Sequence, residues 1–593
     1  MKRPMLAATA ILTGALAAAG AEVEPGAAHD AGVVRAVGLG WSGIFRGLDV
    51  LLGAPGAFLP LGTRALGAAL ASALVAAAAA AVAYEIAYAF VSSVVPALFR
   101  AARDEDGPDA ASPGVSPSLL AAVPAVAVLA ATLAPAWQSE ASAPGGDVVG
   151  ALVVLAAVAF AQRVQHTSIR PLAFVLGLAA TEGPFVFVAA LASAVPRLGA
   201  RPQAERRETV DAAIAFALGL LPLAIAVATS QRPPELALMA RTFAVETGAR
   251  GHVYAFANAE IGVVLLAIAA VGAVLAARIA EARRALASIL LVIAVGAGAI
   301  ALGAPSSESH VAAPILAAIA AVHVLAAVTL AAGVIAIARM KVPFAQASAT
   351  LVVVLELVLP VRVADETSSR REAHAPRATA TWDEAAWGTA PPGAVVLVPD
   401  RGTMRRAAAA RATGSMRGDL VLVPAFDLDA RQARRALATE PKLAPLYRDV
   451  ALGIAPEELS LAQIAAERPL LASFDSRWDR TLARHLVPVG LASRVETEPR
   501  GASDRKRALD LFEPWKDRLV RVASPKRDPD LAAATATLLR ARAIAMAACS
   551  EKDILAHALD DLRPFAPDDP VATTLVRRMV TSKGTIDVKD LSP

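Results

Sequence analysis

Two long, almost uncharged stretches decide the class of this protein. They are 65-ALGAALASALVAAAAAAVAYEIAYAFVSSVVPAL-98 and 311-VAAPILAAIAAVHVLAAVTLAAGVIAIA-338. A helix needs about 20 apolar residues to cross a hydrocarbon core about 30 Å thick, and both stretches are longer. Of the 593 residues 56% are hydrophobic, above the about 45–50% typical of soluble chains. The sequence therefore predicts a polytopic α-helical membrane protein.

The N-terminus has two interpretations. It reads MKRPMLAATAILTGALAAAGAEVEP, with Lys2 and Arg3 ahead of an apolar run. The run fits a secretory signal peptide, since Ala19-Gly20-Ala21 suits cleavage, and it fits a first transmembrane helix equally well. Both interpretations place residue 22 onward outside the cytoplasm.

The stretch 171–196 is apolar but interrupted by Glu182-Gly183-Pro184. At 1.5 Å per residue neither half is long enough to cross a bilayer alone. The pattern predicts two short helices that meet at Glu182. Uninterrupted spans are predicted at about 65–98, 119–136, 147–162, 211–229, 259–277, 286–303, 311–338 and 343–361.

The distribution of Arg and Lys between these spans predicts the orientation. Cytoplasmic connections are enriched in basic residues, and the connections 137–146 and 304–310 contain none. The pattern fits about eleven crossings with the C-terminal part outside, although the outer segment 230–258 carries three arginines. The connections expected inside carry Arg100, Arg103, Arg163, Arg170, Arg197, Arg201, Arg206, Arg207, Arg278, Arg283, Arg284, Arg339 and Lys341.

The composition changes near residue 362. We expect a transmembrane domain over 1–361, with its first external loop at 22–64, and a polar linker over 362–390. A soluble α/β domain is predicted over 391–530, because short β-type runs at 394–399, 419–425 and 469–474 alternate with charged helical stretches. The end, 531–593, is predicted to be helical, with two amphipathic helices flanking Pro567-Asp568-Asp569-Pro570.

Composition excludes some classes of site. A single cysteine, Cys549, permits neither an intrachain disulfide nor a cysteine-based metal cluster. The formal charge of +4 is explained by basic residues that set topology, so no nucleic-acid partner is expected. The sequence also contains no phosphate loop, dinucleotide fingerprint or nucleophile elbow.

Two ionisable residues lie within predicted spans. His323 is either a proton-relay group or a histidine hydrogen-bonded inside the bundle. Glu356, in LVVVLELVLP, is either a functional intramembrane carboxylate or a side chain that reaches interfacial water. Together with the broken helix pair at Glu182, these residues keep a secondary transporter among the alternatives.

The first external loop carries an ordered series of short motifs. They are Asp30 with Gly32, Leu51-Leu52-Gly53, Leu59-Pro60-Leu61-Gly62 and Ser72-Ala73-Leu74. The series resembles the first loop of bacterial membrane proteins related to protein O-mannosyltransferases, in the GT-C glycosyltransferase superfamily. That loop begins with Asp-Ser-Gly-Glu and continues to Leu-Leu-Gly, Leu-Pro-Leu-Gly and Ser-Ala-Leu. Shorter similarities follow at Pro135 with Trp137, Pro391-Pro392-Gly393, Arg468-Pro469 and Pro488-Val489-Gly490-Leu491.

The chain departs from this family on the catalytic side. Val33 replaces the glutamate of Asp-Ser-Gly-Glu, and Thr181-Glu182 stands in place of an Asn-His turn. The family's His-Pro-Pro-Gly-Tyr stretch is missing. The family's second external loop carries Glu-Val-Tyr, and Glu140 and Asp147 are the acids near that position here.

The resemblance implies a GT-C-like glycosyltransferase in a bacterial inner membrane, with a periplasmic C-terminal domain and a polyprenyl-phosphate-linked sugar as donor. Asp30 is then the candidate general base, and Glu140, Asp147 and Glu182 are candidates for holding the donor or a divalent cation. The alternative is a catalytically degenerate relative that acts as a scaffold in envelope assembly. Beyond membrane lipid and the implied donor, the sequence names no partner, acceptor or metal.

Overall fold

The computed structural model divides the chain into two compact units. The helical unit comprises Met1–Val23 and Ala31–Arg371, and the C-terminal unit comprises Glu24–Asp30 and Glu372–Pro593. The residues that the structure describes are 2–22, 25–39, 45–60, 62–106, 117–163, 168–198, 206–229, 253–302, 312–339, 358, 361, 375–424, 441–452, 454–582 and 584–591.

The helical unit contains fifteen α-helices within these residues. Their order follows the predicted spans, with short helices added in the first external loop. They are α1 (Lys2–Ala19), α2 (Asp30–Ala36), α3 (Gly47–Phe58), α4 (Arg64–Asp106), α5 (Pro117–Thr132), α6 (Pro135–Ser142), α7 (Val148–Arg163), α8 (Arg170–Glu182), α9 (Pro184–Leu198), α10 (Arg206–Gly219), α11 (Leu221–Thr229), α12 (Val253–Glu260), α13 (Val263–Ala277), α14 (Arg283–Leu302) and α15 (Ala312–Arg339).

Helix α15 is the centre of this unit. It packs against α4, α5, α7, α13 and α14, and its apolar stretch is largely buried by these neighbours. Helix α1 packs along α4 and α5, where Thr13 hydrogen-bonds Thr132 at 3.2 Å and Lys2 Nζ lies 2.7 Å from Glu85 Oε2. The predicted span 343–361 lies outside the described residues except for Val358 and Val361.

The predicted break at Glu182-Gly183-Pro184 is confirmed. Gly183 follows the last residue of α8 with φ +145°, a conformation that L side chains rarely adopt, and Pro184 opens α9. Pro suits the first helical position because it lacks the N–H that a helix start leaves unpaired. This break places the Glu182 carboxylate at the junction of two short helices.

One predicted span, 211–229, is bent near its middle, and two others, 119–136 and 259–277, are bent near one end. Helices α5 and α6 meet at 73°, α10 and α11 at 46°, and α12 and α13 at 98°. Pro135 opens α6, and Gly262, with φ +85°, separates α12 from α13. The sequence analysis missed the bend between α10 and α11 because apolar composition continues through it, and the other two bends lie where it ended or began a span.

Four described helices are individually long and apolar enough to cross a membrane: Arg64–Phe99, Ala280–Ala301, Ala312–Ile337 and Pro529–Ala548. The number rises to seven if each bent pair is one span, and α7 and α9 are shorter apolar helices. The Pro529–Ala548 helix belongs to the C-terminal unit and forms its core. The predicted count of eleven crossings stays a prediction.

The C-terminal unit is built on a five-stranded sheet in the order β2-β1-β3-β5-β4. Strand β1 (Val395–Val398) is parallel to β2 (Val421–Pro424) and β3 (Leu470–Ala472). Strand β5 (Ala492–Val495) is antiparallel to β3 and to β4 (Leu486–Val489). The three predicted β-type runs therefore contain β1, β2 and β3.

Helices cover the sheet. They are α16 (Ala375–Asp383), α17 (Arg401–Thr413), α18 (Ala444–Ala451), α19 (Glu458–Glu467), α20 (Ala502–Asp510), α21 (Glu513–Val522), α22 (Pro529–Ala548), α23 (Lys552–Leu562) and α24 (Pro570–Thr581). The C-terminal segment thus has three helices rather than the two predicted. Ser550, which lies between α22 and α23, has φ +63° and therefore interrupts the helical backbone there.

The segment Glu24–Asp30 also belongs to the C-terminal unit. Ala27 packs against its hydrophobic core, and Asp30 is bonded to Arg406 of α17. The sequence analysis had assigned all of 22–64 to one loop of the transmembrane domain. Local sequence could not reveal this division, because the contact joins residues 376 positions apart.

Close helix crossing in the helical unit depends on glycine. A Cβ on Gly177 of α8 would lie 2.3 Å from the carbonyl oxygen of Phe216 in α10, whereas one on Gly298 of α14 would meet nothing within 4 Å. We predict that Gly177→Val lowers the free energy of unfolding by about 1–3 kcal/mol, because the backbones of α8 and α10 must move apart. Gly298→Val is the matched control, and thermal unfolding of both purified variants measures the difference. Equal unfolding temperatures would contradict the close crossing.

Candidate functional site

Arg46 connects three segments of the helical unit. It precedes α3 in the left-handed conformation, with φ +61°, and its backbone N–H donates to the carbonyl of Thr181 at 3.0 Å. Its guanidinium donates to the carbonyl of Gly145 at 2.7 Å and forms ion pairs with Asp147 and Asp49, the latter at 3.0 Å. One residue, through its side chain and its backbone N–H, therefore links α3, the α6–α7 connection and the end of α8.

Asp49 accepts from two arginines through the same oxygen. Arg35 Nε donates to Asp49 Oδ2 at 2.8 Å, and Arg46 Nε lies 3.0 Å from that atom. Asp49 is 1% exposed, and within the described part of the chain its other oxygen, Oδ1, is buried without a hydrogen-bond partner. A carboxylate anchored through one oxygen keeps the lone pairs of the other oxygen for a further group.

The three predicted acids Glu140, Asp147 and Glu182 lie around the same arginine. Glu140 Oε2 accepts from the backbone N–H of Asp147 at 2.8 Å, and Glu182 Oε1 accepts from the backbone N–H of Leu48 at 3.3 Å. Both Glu140 and Glu182 are close enough to Arg46 for electrostatic attraction. The structure thus brings together residues that are separated by more than a hundred positions.

Glycine allows the backbone segments beside this cluster to touch. A Cβ on Gly32 of α2 would lie 2.4 Å from the carbonyl oxygen of Pro144, and one on Gly146 would lie 1.8 Å from that of Glu140. Gly145 itself has φ +64°. Any larger residue would displace the α6–α7 connection, which carries Asp147.

The cluster holds more acids than bases. Asp49, Glu140, Asp147 and Glu182 face two guanidinium groups, those of Arg35 and Arg46, which leaves two negative charges in excess when all are ionised. Buried charges are costly unless they are compensated. The site is therefore suited to bind a cationic group or to take up a proton.

These acids do not form a ready-made metal site. Across the described residues, the group of potential ligands with all ligand atoms within 4.8 Å of one another is Glu513, His557 and Asp561, in the C-terminal unit. There Lys516 Nζ lies 2.6 Å from Glu513 and 3.2 Å from Asp561, so an ammonium group already supplies the positive charge. The predicted metal-binding role of Glu140, Asp147 and Glu182 stays untested.

Asp30, the predicted base, is bound to other charged residues within the C-terminal unit. Its carboxylate accepts from Arg406, which also donates to both oxygens of Asp383, at 3.0 and 2.7 Å. Asp30 is 4% exposed; burial raises the pKa of its carboxyl to about 7, Arg406 lowers it and the charge of Asp383 raises it. Two carboxylates share one guanidinium here, an arrangement that fixes the segment Glu24–Asp30 in place.

The intramembrane candidates have different outcomes. His323 of α15 is 1% exposed, and its Nδ1 lies 2.9 Å from the carbonyl oxygen of Ile319 one turn earlier. This contact fits the hydrogen-bonded alternative from the sequence analysis, and the proton-relay role stays a prediction. Glu356 lies outside the described residues.

Sequence reasoning missed Arg35, Arg46 and Asp49. A signal for Asp49 was present, because it is the sole charged residue in the apolar helix 47-GLDVLLGAPGAF-58. The matched motifs Leu51-Leu52-Gly53 and Leu59-Pro60-Leu61-Gly62 surround it, yet the resemblance directed attention to Asp30. Nothing local indicated that Arg46 would reach Asp147.

No protein-family model matches this chain, and no curated protein matches it. The fold is similar to that in the crystal structure of ArnT from Cupriavidus metallidurans bound to undecaprenyl phosphate. The two chains are 15% identical, with a TM-score of 0.47, and the match covers 79% of this chain and 92% of that one. A similarity of this extent assigns neither a family nor an activity to the chain.

The central place of Arg46 leads to a stability prediction. Arg46→Gln should lower the free energy of unfolding by about 3–5 kcal/mol, because Asp49 and Asp147 would lose a buried partner. Arg170→Gln, which breaks the partly exposed pair with Asp211, should cost less than about 1 kcal/mol. Unfolding midpoints of the purified variants in one detergent measure both effects. Similar losses in the two variants would show that Arg46 does not hold the cluster.

Proposed function

We propose that this chain is a GT-C-like glycosyltransferase. It transfers a sugar from a polyprenyl-phosphate donor to an envelope acceptor at the outer face of a bacterial inner membrane. The observation that carries the proposal is the buried cluster of Arg35, Arg46, Asp49, Asp147 and Glu182, joined by Glu140. It supplies the two chemical groups that such a transfer needs, a carboxylate base and guanidinium groups for a phosphate.

Asp49 is the carboxylate best placed to act as the base. Arg35 and Arg46 hold its Oδ2, and its Oδ1 is the oxygen without a described partner. In the transfer, an acceptor hydroxyl gives its proton to this oxygen and its own oxygen attacks the anomeric carbon of the sugar. The bond from that carbon to the phosphate oxygen breaks, and the polyprenyl phosphate leaves with the electron pair.

Arg46 is the candidate for binding the donor phosphate. A guanidinium presents paired N–H donors that match phosphate oxygens, and this one already binds anionic groups from two segments. The phosphate would take the place of one carboxylate on Arg46, and because the cluster already has an excess of acids, the displaced carboxyl group would be protonated when the phosphate binds.

Asp30 takes a different role in this proposal from the one that the resemblance implies. Its carboxylate is bound by Arg406 within the C-terminal unit, whereas the arginines proposed to bind the phosphate pair with the acids of the helical unit. We assign it to anchoring Glu24–Asp30. The base assignment therefore moves from Asp30 to Asp49.

The base assignment predicts the effect of one substitution. Asp49→Asn keeps the size of the side chain but cannot take a proton, so sugar transfer should fall by about 10²- to 10⁴-fold after correction for membrane abundance. Asp211→Asn, at an acid outside the cluster, is the matched control and should retain activity. Mass spectrometry of envelope glycans from a deletion strain carrying each variant measures the product, and immunoblotting measures abundance. Full product with Asp49→Asn would remove Asp49 from the mechanism.

A degenerate scaffold is the second candidate. It is favoured by Val33 in place of the family's glutamate and by the ion pair that occupies Asp30. In that case the deletion strain and the strain carrying the unaltered chain would have the same glycans, and the strains would differ in envelope assembly instead.

We also propose that the C-terminal unit lies in the periplasm. Glu24–Asp30, which follows α1, belongs to this unit, so the end of α1 and the unit lie on one side of the membrane. The basic N-terminus with Lys2 and Arg3 places that side outside. Alkaline phosphatase fused after residue 370 should therefore be active and green fluorescent protein dark. The reverse pattern would contradict the orientation.

A further inference from the structure

Helix α1 has two different faces. Its buried residues recur every four positions and are small or polar: Thr9, Thr13 and Ala17. Its exposed large residues are all apolar: Ile11, Leu12 and Leu16. Residues four apart lie on one face of a helix. Small residues on the packed face and apolar residues on the outer face are typical of a helix at the edge of a membrane bundle.

The buried face of α1 makes hydrogen bonds that suit its packed position. The hydroxyl groups of Thr13 and Thr132 of α5 are 3.2 Å apart, and both side chains are buried. The Thr9 hydroxyl donates to the carbonyl of Met5 at 2.8 Å. A buried hydroxyl without a partner is costly, so the two threonines fit the interior of the unit. Without α1, Thr132 would lose its bond to another helix.

Both ends of α1 are bonded to other helices of the unit. At its start, Lys2 Nζ lies 2.7 Å from Glu85 Oε2 of α4 and 5.0 Å from the centre of the Tyr88 ring. Beyond its end, the backbone N–H of Glu22 donates to the carbonyl of Ser142, the last residue of α6, at 3.0 Å. The basic start of α1 therefore has an anionic partner within the unit.

The small-residue motif Ala19-Gly20-Ala21 is part of the helical backbone. The N–H of Gly20 donates to the carbonyl of Leu16 at 3.2 Å, and that of Ala21 donates to the carbonyl of Ala18 at 3.2 Å. Proteolysis concentrates at segments whose backbone is free of such bonds. The hydrogen bonds around this motif therefore oppose cleavage after residue 21.

We propose that α1 is a retained helix of the helical unit and not a signal peptide that is removed. It joins α4, α5 and α6 through Glu85, Thr132 and Ser142. Helix α6 also carries Glu140, so α1 positions the helix that supplies one acid of the cluster around Arg46. The proposal does not depend on sugar transfer, because it concerns the packing of α1 alone.

Intact-mass spectrometry of the full chain, purified from membranes through a C-terminal tag, tests retention directly. The mass should include Lys2 to Ala21, because these residues are part of the folded unit. A main species that begins at Glu22 would overturn the proposal, whatever activity the chain has.

A pair of cysteines tests the packing of α1 in a Cys549→Ala background. Thr13→Cys with Thr132→Cys places two thiols where the hydroxyl oxygens are 3.2 Å apart, within reach of a disulfide once oxidised. Leu12→Cys with Thr132→Cys is the matched control, because Leu12 is exposed on the other face of α1. Mild oxidation in membranes, followed by alkylation and mass spectrometry, counts the free thiols.

The first pair should resist alkylation after oxidation, whereas both thiols of the control pair should be alkylated. Equal alkylation of the two pairs would overturn the packing of α1 against α5. Loss of the Thr13→Cys residue from the purified chain would overturn retention.

Discussion

The compensation of buried carboxylates by Arg46 is the interaction on which the helical unit's polar interior depends. Asp49 and Asp147 come from different segments and would repel each other without the guanidinium between them. In a low-dielectric interior an unpaired charge costs several kcal/mol, so the partners must be in place together. The left-handed backbone at Arg46 and its bond to the carbonyl of Thr181 fix the start of α3 where this pairing is possible.

Small residues make the approach of these segments possible. Gly32 and Gly146 allow backbone contact beside Asp147, and Gly177 allows α8 to cross α10 closely. Gly183 ends α8 directly after Glu182, so a carboxylate is placed at a helix junction rather than along a lipid-facing surface. In a chain whose apolar residues are mostly small, close packing takes the place of large interlocking side chains. The polar cluster and the helix crossings are therefore parts of one arrangement.

Charge is also distributed unevenly along the rest of the chain, and the pattern differs between regions. Around Arg46 acids outnumber bases. Asp30 and Asp383 share Arg406 in the C-terminal unit, where the bond holds a short N-terminal segment to α17. Carboxylate and guanidinium groups thus serve both for the proposed chemistry and for anchoring a segment.

The sequence by itself determined the membrane-protein class, the position of most helices, the break at Glu182 and the acids Glu140, Asp147 and Glu182. The class, the helices and the break follow from apolar length, glycine and proline, all of which are local, whereas the acids were singled out through the family resemblance. Tertiary structure alone decided that Arg46 collects these acids, that Asp49 joins them, and that Asp30 pairs with Arg406 instead. The physical reason is that a buried ion pair depends on which distant segments meet, and the local pattern at each residue is the same whichever partner it finds. The bends at Pro135 and Gly262 were missed for a related reason. Hydropathy indicates which segments are buried, but it does not indicate where a helix changes direction.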